Sequence, residues 1–354
     1  MPLLWGAAAV ATPSNLVIAR FLVKPRQAFF VCATLAEIMK KYLRYLGPVL
    51  VASIFTLAVY LLYQKLKVYS VAQIRASLEQ ISPEHVGLSL LLMVVNYMIL
   101  VGYDWLAIKA IHKSLPVGRV ALVSFVGQAV SYNFGALLGG TTVRWRFYSN
   151  WGFTFTEIVR LVLMLAVTFW VGALGLCGAI FLFKPPVMPE DLLAKMPVTD
   201  MRILGLALFL VACSYLVLCC VVRKPLHIRG REFVFPPPRI AFAQAAVAGI
   251  DIVAAAACMY VLLPDDMGVS FLEFLPGYLM AQVAVVLTHV PGGVGVFELV
   301  ILHLTHTART EVVFAVVLVF RLVYYILPLL TAALLFLAYE ARQNRSWFKG
   351  VLEK

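Results

Sequence analysis

The chain has 354 residues, of which 63% are hydrophobic and 13% charged, against about 45–50% and about 25% in an ordinary soluble domain. With a mean hydropathy of +0.94, this excludes a typical soluble enzyme and a disordered protein. The net charge of +12 would point to nucleic acid in a soluble chain, but in one this apolar it reads as a record of membrane topology, and no nucleic-acid partner is expected.

Residues 1–44 are predicted to form a basic, interfacial N-terminal extension. The apolar stretch 3–11 has no basic residues before it, so a cleaved signal has weak support. Arg20, Lys24, Pro25 and Arg26 make 16–38 a poor span. Residues 1–38 read as an interfacial helix or as an over-long gene start, with Met39-Lys40-Lys41 as a natural beginning. A bilayer-crossing helix needs about 20 mostly apolar residues. Six stretches qualify: 47–63, 86–108, 161–182, 203–222, 240–262 and 312–339. Two further stretches are apolar but broken. Segment 120–139 carries Gln128, Asn133 and several glycines, and 274–302 is interrupted by Pro291-Gly292-Gly293.

Charge fixes how these two segments run. The basic segments 1–46, 109–119, 140–160, 223–239 and the tail 340–354 hold 21 basic and 5 acidic residues and are assigned to the cytoplasm. The remaining connections hold 7 basic and 9 acidic residues and are assigned outside. Segment 120–139 must then enter and leave by the cytoplasmic face, and 274–302 by the external face. Non-helical backbone at membrane depth is tolerated only where protein or water covers it. The expected fold is therefore an all-α polytopic membrane protein, with about six full spans plus two re-entrant helical elements on an inverted-repeat plan. The spanning domain is placed at 45–340 and a basic cytoplasmic tail at 341–354, with both termini cytoplasmic.

Asp104, Asp251, Glu298 and Arg321 fall inside hydrophobic segments. An intramembrane charge costs about 2.5–3.5 kcal/mol on insertion scales, so each is a functional candidate. Asp104 is read against a bland alternative, snorkelling or pairing with Lys109. Arg321 is read against a structural ion pair. In 291–298, Pro291, Gly292, Gly293 and Gly295 break a helix, and the restarting helix turns its N–H groups into the membrane, where an anion is favoured. Glu298 falls in its first turn, and His289 stands just before the break. At the other break, Gly139 and Gly140 precede Arg144, Trp145, Arg146, Phe147 and Tyr148, a basic and aromatic run suited to an interface and to gripping phosphate. Asn133, Glu157 and Tyr325 complete the substrate-path candidates. The six cysteines lie in apolar stretches without CxxC spacing, and read as buried small hydrophobes. No nucleophile–base pair, Walker loop or HExxH occurs, so no catalytic residue, metal or cofactor is expected.

Several runs resemble a known family. Asn133-Phe134-Gly135 through Gly139-Gly140-Thr141, then Val143 to Tyr148 and Trp151-Gly152, look like its first signature, continued by Glu157 to Arg160 and Thr168-Phe169-Trp170. Thr288 to Glu298 looks like its second, and Arg321 with Tyr324-Tyr325 and Pro328 completes the order. Together they resemble the membrane domain of lysylphosphatidylglycerol synthase/flippase proteins of the multiple peptide resistance factor type, and the UPF0104 inner-membrane proteins are similar. The family's usual Tyr after the first motif Arg is Trp145 here.

The resemblance implies a lipid-flipping domain whose partners are membrane phospholipids, anionic or aminoacylated. Full-length members add a cytoplasmic aminoacyltransferase domain. The sequence ends at Lys354, soon after its last span, so transferase activity is not expected of it. A small-solute or proton-coupled transporter, and the membrane subunit of a lipid-modifying synthase, stay open as alternatives. So do a homo-oligomer and a separately encoded synthase partner.

Overall fold

The computed structural model of the chain describes Glu79 and residues 81–186, 200–222, 226–228, 231–233, 235–288, 293, 297, 300–301 and 310–343. All of them belong to one compact unit, Ile54–Lys354. The expected first span at 47–63, the N-terminal extension, and His289, Pro291, Gly292, Gly295 and Glu298 lie outside the described residues.

Nine helices carry the described part: α1 (Pro83–Ala110), α2 (Val117–Phe134), α3 (Thr141–Asn150), α4 (Phe155–Phe183), α5 (Met201–Val221), α6 (Pro238–Tyr260), α7 (Phe271–Thr288), α8 (Thr310–Arg321) and α9 (Leu327–Gln343). Two π-turns, Ala136–Gly140 and Leu322–Ile326, join α2 to α3 and α8 to α9. A short antiparallel hairpin, β1 (Leu226–Ile228) and β2 (Arg231–Phe233), pairs Leu226 with Phe233 in the basic connection before α6. Among the described residues, five helices are long and apolar enough to cross a membrane: α1, α4, α5, α6 and the continuous α8–α9 rod from Ala315. The protein is thus a multi-pass, essentially all-α membrane protein, and each of the five falls on an expected span.

Local chemistry sets the ends. Ser82 caps α1 by accepting from the His85 N–H at 3.3 Å, with Pro83 and Glu84 in the first turn. Thr154 and Glu157 form a reciprocal capping box at α4, and Asp200 caps α5. Pro237 and Pro238 start α6.

Small residues then set how closely the rods pack. A Cβ on Gly172 of α4 would overlap Ala248 of α6, and one on Gly178 would lie 2.5 Å from the Phe209 backbone of α5. Where lipid and side chain are equally apolar, such backbone approach is what gains contact. The core is the α8–α9 rod, 67% buried over its apolar window, whereas α5 is 17% buried and turns Ile203, Leu206, Leu210 and Val221 outward.

α1 and α6 run antiparallel: Ser89 Oγ donates to the Cys258 carbonyl at 2.8 Å near one end, and Tyr103 reaches Asp251 nearer the other. One end of the bundle therefore gathers the C-termini of α1 and α9 and the N-termini of α2, α4 and α6. The other gathers the N-terminus of α1 and the C-terminus of α6.

The first broken segment is a helical hairpin, with a shifted boundary. Gly135, at φ +86°, ends α2, and the chain turns back into α3. Gly140 closes on Gly127 and Ser131, and Gly127 on Arg144. Arg119, in the first turn of α2, stacks over Trp151 just past α3. Entry and exit thus share one end. The return limb is α3 itself, so Arg144 and Arg146 stand in the hairpin. The expected hairpin ended at 139, with 140–160 as a connection; the structure makes 141–150 a helical return limb, which its sequence hid because the partners that neutralise Arg144 and Arg146 are remote along the chain.

The second broken segment also doubles back. Gly293 lies against Val285 of α7, and Phe297 rests edge-on against Tyr278 at 5.8 Å. Tyr260 at the end of α6 packs on Phe271 at the start of α7, so this second hairpin opens at the end opposite the first.

Candidate functional site

Both hairpins meet the α8–α9 rod at its π-turn or in the residues just before it. From the first, Asn133 Nδ2 donates to the Tyr325 carbonyl at 3.1 Å, and the Tyr132 ring lies 5.4 Å from Tyr324 and 5.8 Å from Tyr325. From the second, the Gly293 carbonyl accepts from Arg321 Nη2 at 3.1 Å, and Phe297 stacks on Phe320. A π-turn shifts the hydrogen-bond ladder by one residue and loosens it, which leaves carbonyls open to side chains. The Tyr324 carbonyl accepts from Tyr97 and the Tyr325 carbonyl from Asn133. The rod is therefore the shared bearing of the two hairpins.

Around that bearing is a buried aromatic and polar cluster. Tyr97, Tyr132, Tyr324, Phe320, Phe297 and Tyr278 touch in that order, with centroid separations of 5.1–6.4 Å. Asn96 Nδ2 donates to the Tyr324 hydroxyl, which lies 3.3 Å from that of Tyr132. Asp251 of α6 borders this cluster and is 4% exposed. Its Oδ2 accepts from Tyr103 at 2.7 Å, whereas its Oδ1 and the Oδ1 of Asn96 have no hydrogen-bond partner.

Two buried ion pairs hold the return limb of the first hairpin. Arg144 grips Asp104 of α1 in a two-bond fork, Nε to Oδ1 and Nη2 to Oδ2, both at 3.0 Å. Tyr148 donates to the same Oδ1 at 2.8 Å, and Gln128 Oε1 lies 3.4 Å from Arg144 Nη2. Arg146 grips Glu340 of α9 in the same manner, at 2.8 and 2.9 Å. The alternative Asp104–Lys109 pairing is not formed: Asp104 is taken by Arg144, and Lys109 sits 3.6 Å over the Trp105 ring. Asp104 is fully buried and Glu340 3% exposed, so these pairs stand in low dielectric, where the planar arginine fork suits a carboxylate best.

The sequence-derived candidates thus divide. Asp104, Arg144 and Tyr148 form one clamp, and Arg146 belongs to a second. Asn133, Gly293, Arg321 and Tyr325 meet at the π-turn, with Asp251 at the cluster's edge. Gly139 and Gly140 form the hairpin turn, where a Cβ on Gly140 would overlap Ser131 Oγ. Glu157 stands apart: it closes the α4 capping box and pairs with Lys113 at 3.0 Å, a local role at the helix start. Sequence reasoning missed Glu340, counted with the tail, and Asn96, Tyr97, Tyr103 and Tyr132. Their signal was weak but present, since Asn96 and Tyr103 are polar groups inside an otherwise apolar span. With Arg144, Arg146 and Glu340 inside, the described interior holds three guanidinium groups, those of Arg144, Arg146 and Arg321, and three carboxyl groups, those of Asp104, Asp251 and Glu340.

At the same end a cleft of about 490 Å3 opens beside Arg119, Asn150, Trp151, Tyr339 and Gln343. Among the described residues no cluster of three metal-ligating side chains occurs.

Residues 46–332 match the family described as the lysylphosphatidylglycerol synthase TM region. The chain belongs to that family. Its members include proteins of quite different length. An uncharacterized protein of Synechocystis, slr0712, is 33% identical over 296 residues, covering 83% of this chain and 91% of its own. The Escherichia coli inner membrane protein YbhN is 30% identical over 258 residues, covering 72% of this chain and 80% of its own. The Staphylococcus aureus phosphatidylglycerol lysyltransferase is 25% identical over 247 residues, which are 68% of this chain and 28% of that enzyme. What the lysyltransferase and this chain share is therefore the TM region.

Proposed function

We propose that the chain translocates a phospholipid between the leaflets of a bacterial inner membrane, and that the head group is anionic or aminoacylated. The observation that carries this reading is the convergence of two hairpins, opened at opposite ends, on one π-turn in the core rod. Such a plan gives a midplane site that either face can reach by rocking one hairpin against the rest. Between that turn and the end that gathers the C-termini of α1 and α9 stand groups suited to a phospholipid head: guanidinium forks for a phosphate, buried carboxyl groups for an ammonium, and aromatic faces for both glycerol and cation. In the state described, both forks are closed on carboxylates, so a lipid phosphate would enter by exchanging with Asp104 or Glu340. Membership in a family described by a lipid synthase's TM region supports the same reading, as does the similarity to a phosphatidylglycerol lysyltransferase.

Lys109, Arg119 and Arg239, at the ends of α1, α2 and α6, support a cytoplasmic position for the fork-bearing end under the positive-inside rule. A purified, reconstituted protein should speed leaflet exchange of phosphatidylglycerol or its aminoacylated form over phosphatidylcholine. Exchange no faster than in protein-free vesicles for every head group tried would end the proposal.

A further inference from the structure

The buried Asp251 carboxyl has one oxygen that no donor reaches. Tyr103 spends its hydroxyl hydrogen on Asp251 Oδ2, and Tyr97 spends its own on the Tyr324 carbonyl. The Tyr324 and Tyr132 hydroxyls face each other, and Asn96 gives Nδ2 to Tyr324. The Asn96 amide also faces the Asp251 carboxyl. Two buried acceptors are left over, Oδ1 of Asp251 and Oδ1 of Asn96. An ionised carboxylate offers about four acceptor positions and wants two or three donors when buried, and leaving it short is among the costliest faults in a nonpolar interior.

The groups facing Asp251 are uniformly neutral acceptor–donors. From α1 come Asn96, Tyr97 and Tyr103, from α2 Tyr132, from α7 Tyr278 and from the π-turn Tyr324. On α6 itself Cys258 lies two turns on. From α4 and α5, Thr168 and Tyr215 reach Gln244, about two turns earlier on α6, and not Asp251. The charge on α8, Arg321, is directed at the Gly293 carbonyl and the Tyr325 ring.

We infer that Asp251 is a proton-binding site of the transport cycle, its carboxyl carrying a hydrogen on Oδ1 in the state described and releasing it when the hairpins rearrange. A proton needs one vacant oxygen, which Asp251 Oδ1 is, and the Asn96 side chain stands within hydrogen-bond reach of the carboxyl. A sodium ion needs five or six oxygens, whereas the phenol oxygens here are already joined to one another and to the backbone. Release would proceed with the proton passing from Oδ1 to water admitted from one face, leaving the carboxylate with Tyr103 and the Asn96 amide as donors. The tips that would open such a path, Tyr132 and Phe297, pack against the same rod as Tyr324. The coupling to lipid movement rests on the translocation reading above, but the proton site does not.

The test therefore has a readout that needs no transport. Infrared spectra of the purified protein in lipid should show a protonated-carboxyl C=O stretch that is absent in Asp251→Asn, retained in Asp251→Glu, and shifted in frequency in Tyr103→Phe. The last variant serves if Asp251→Asn does not fold. In proteoliposomes, lipid exchange should follow an imposed pH gradient, and Asp251→Asn should lose that dependence. No carboxyl band assignable to Asp251 between pH 5 and pH 9 overturns the inference, as does exchange that follows a sodium gradient instead. A band that behaves as expected in a protein that moves no lipid upholds the proton site and removes the translocation reading.

Discussion

Replacing Arg144 with methionine tests whether the fork on Asp104 holds the first hairpin in place. The substitution keeps most of the side-chain length beside Gly127 but removes both bonds at 3.0 Å. Asp104, fully buried, is left with Tyr148 at 2.8 Å. Charge-assisted bonds contribute about 1.5–3 kcal/mol each, so two of them bound the loss at about 3–6 kcal/mol. Removing one partner of a buried pair costs about 3–5 kcal/mol, a consistent figure. That corresponds to roughly a hundredfold to several-thousandfold fall in the folded-to-unfolded ratio. The double variant Asp104→Asn with Arg144→Gln keeps an acceptor for Tyr148 and removes both charges. It should recover most of the loss, to within about 1–2 kcal/mol of the parent. Unfolding in mixed micelles titrated with SDS, monitored by tryptophan fluorescence, measures all three proteins. If Arg144→Met falls within about 1 kcal/mol of the parent and the double variant is no better, the clamp is not a buried ion pair and the reasoning fails.

Other substitutions separate the remaining contacts. Gly127→Ala would place a Cβ 3.0 Å from Arg144 Cζ, so the fork must shift, and the variant should lose part of the stability that Arg144→Met loses in the same SDS titration. Gly140→Ala would overlap Ser131 Oγ at the hairpin turn and should sharply reduce the yield of monodisperse protein on size exclusion. Glu340→Gln weakens the grip on the half-buried Arg146 and should cost about 1–2 kcal/mol by SDS titration, less than loss of Asp104 because Arg146 keeps 24% side-chain exposure. Glu157→Gln, at an exposed helix start, should leave reconstituted lipid exchange unchanged within error. A tenfold fall there would put Glu157 back on the transport path.

Much of the fold was legible because spans announce themselves by length and hydropathy: α1, α4, α5, α6 and the last rod all fall where an apolar run of sufficient length lies. The hairpins were legible through charge, since two basic connections cannot lie on one side unless the chain between them returns. The return limb was misplaced for a physical reason. Hydropathy scores Arg144 and Arg146 as if each were alone, but their neutralising partners are 40 and 194 residues away. Glu340 was missed for the same cause, read as the first residue of a tail when it ends a buried contact. The tyrosine cluster was harder still. Tyrosine is common at membrane interfaces, and only the third dimension shows Tyr97, Tyr132 and Tyr324 drawn together in the core. The π-turn had no cue of its own, because nothing in Leu322–Ile326 departs from ordinary helix composition.

That turn has a consequence for how the two hairpins could sense one another. Arg321 and Glu340 stand on one uninterrupted rod, the first touching the hairpin that opens at one end and the second the hairpin that opens at the other. Their angular offset is set by the residues between them, and each residue of an α-helix contributes about 100°. The wider turn at Leu322–Ile326 acts as a phasing washer. Shortening it by one residue would rotate Glu340 by about a quarter of a circle relative to Arg321 and take it off Arg146, with scarcely any change in composition. The rod is in this sense a camshaft whose two lobes are keyed to each other, and the key is a single residue of helical slack.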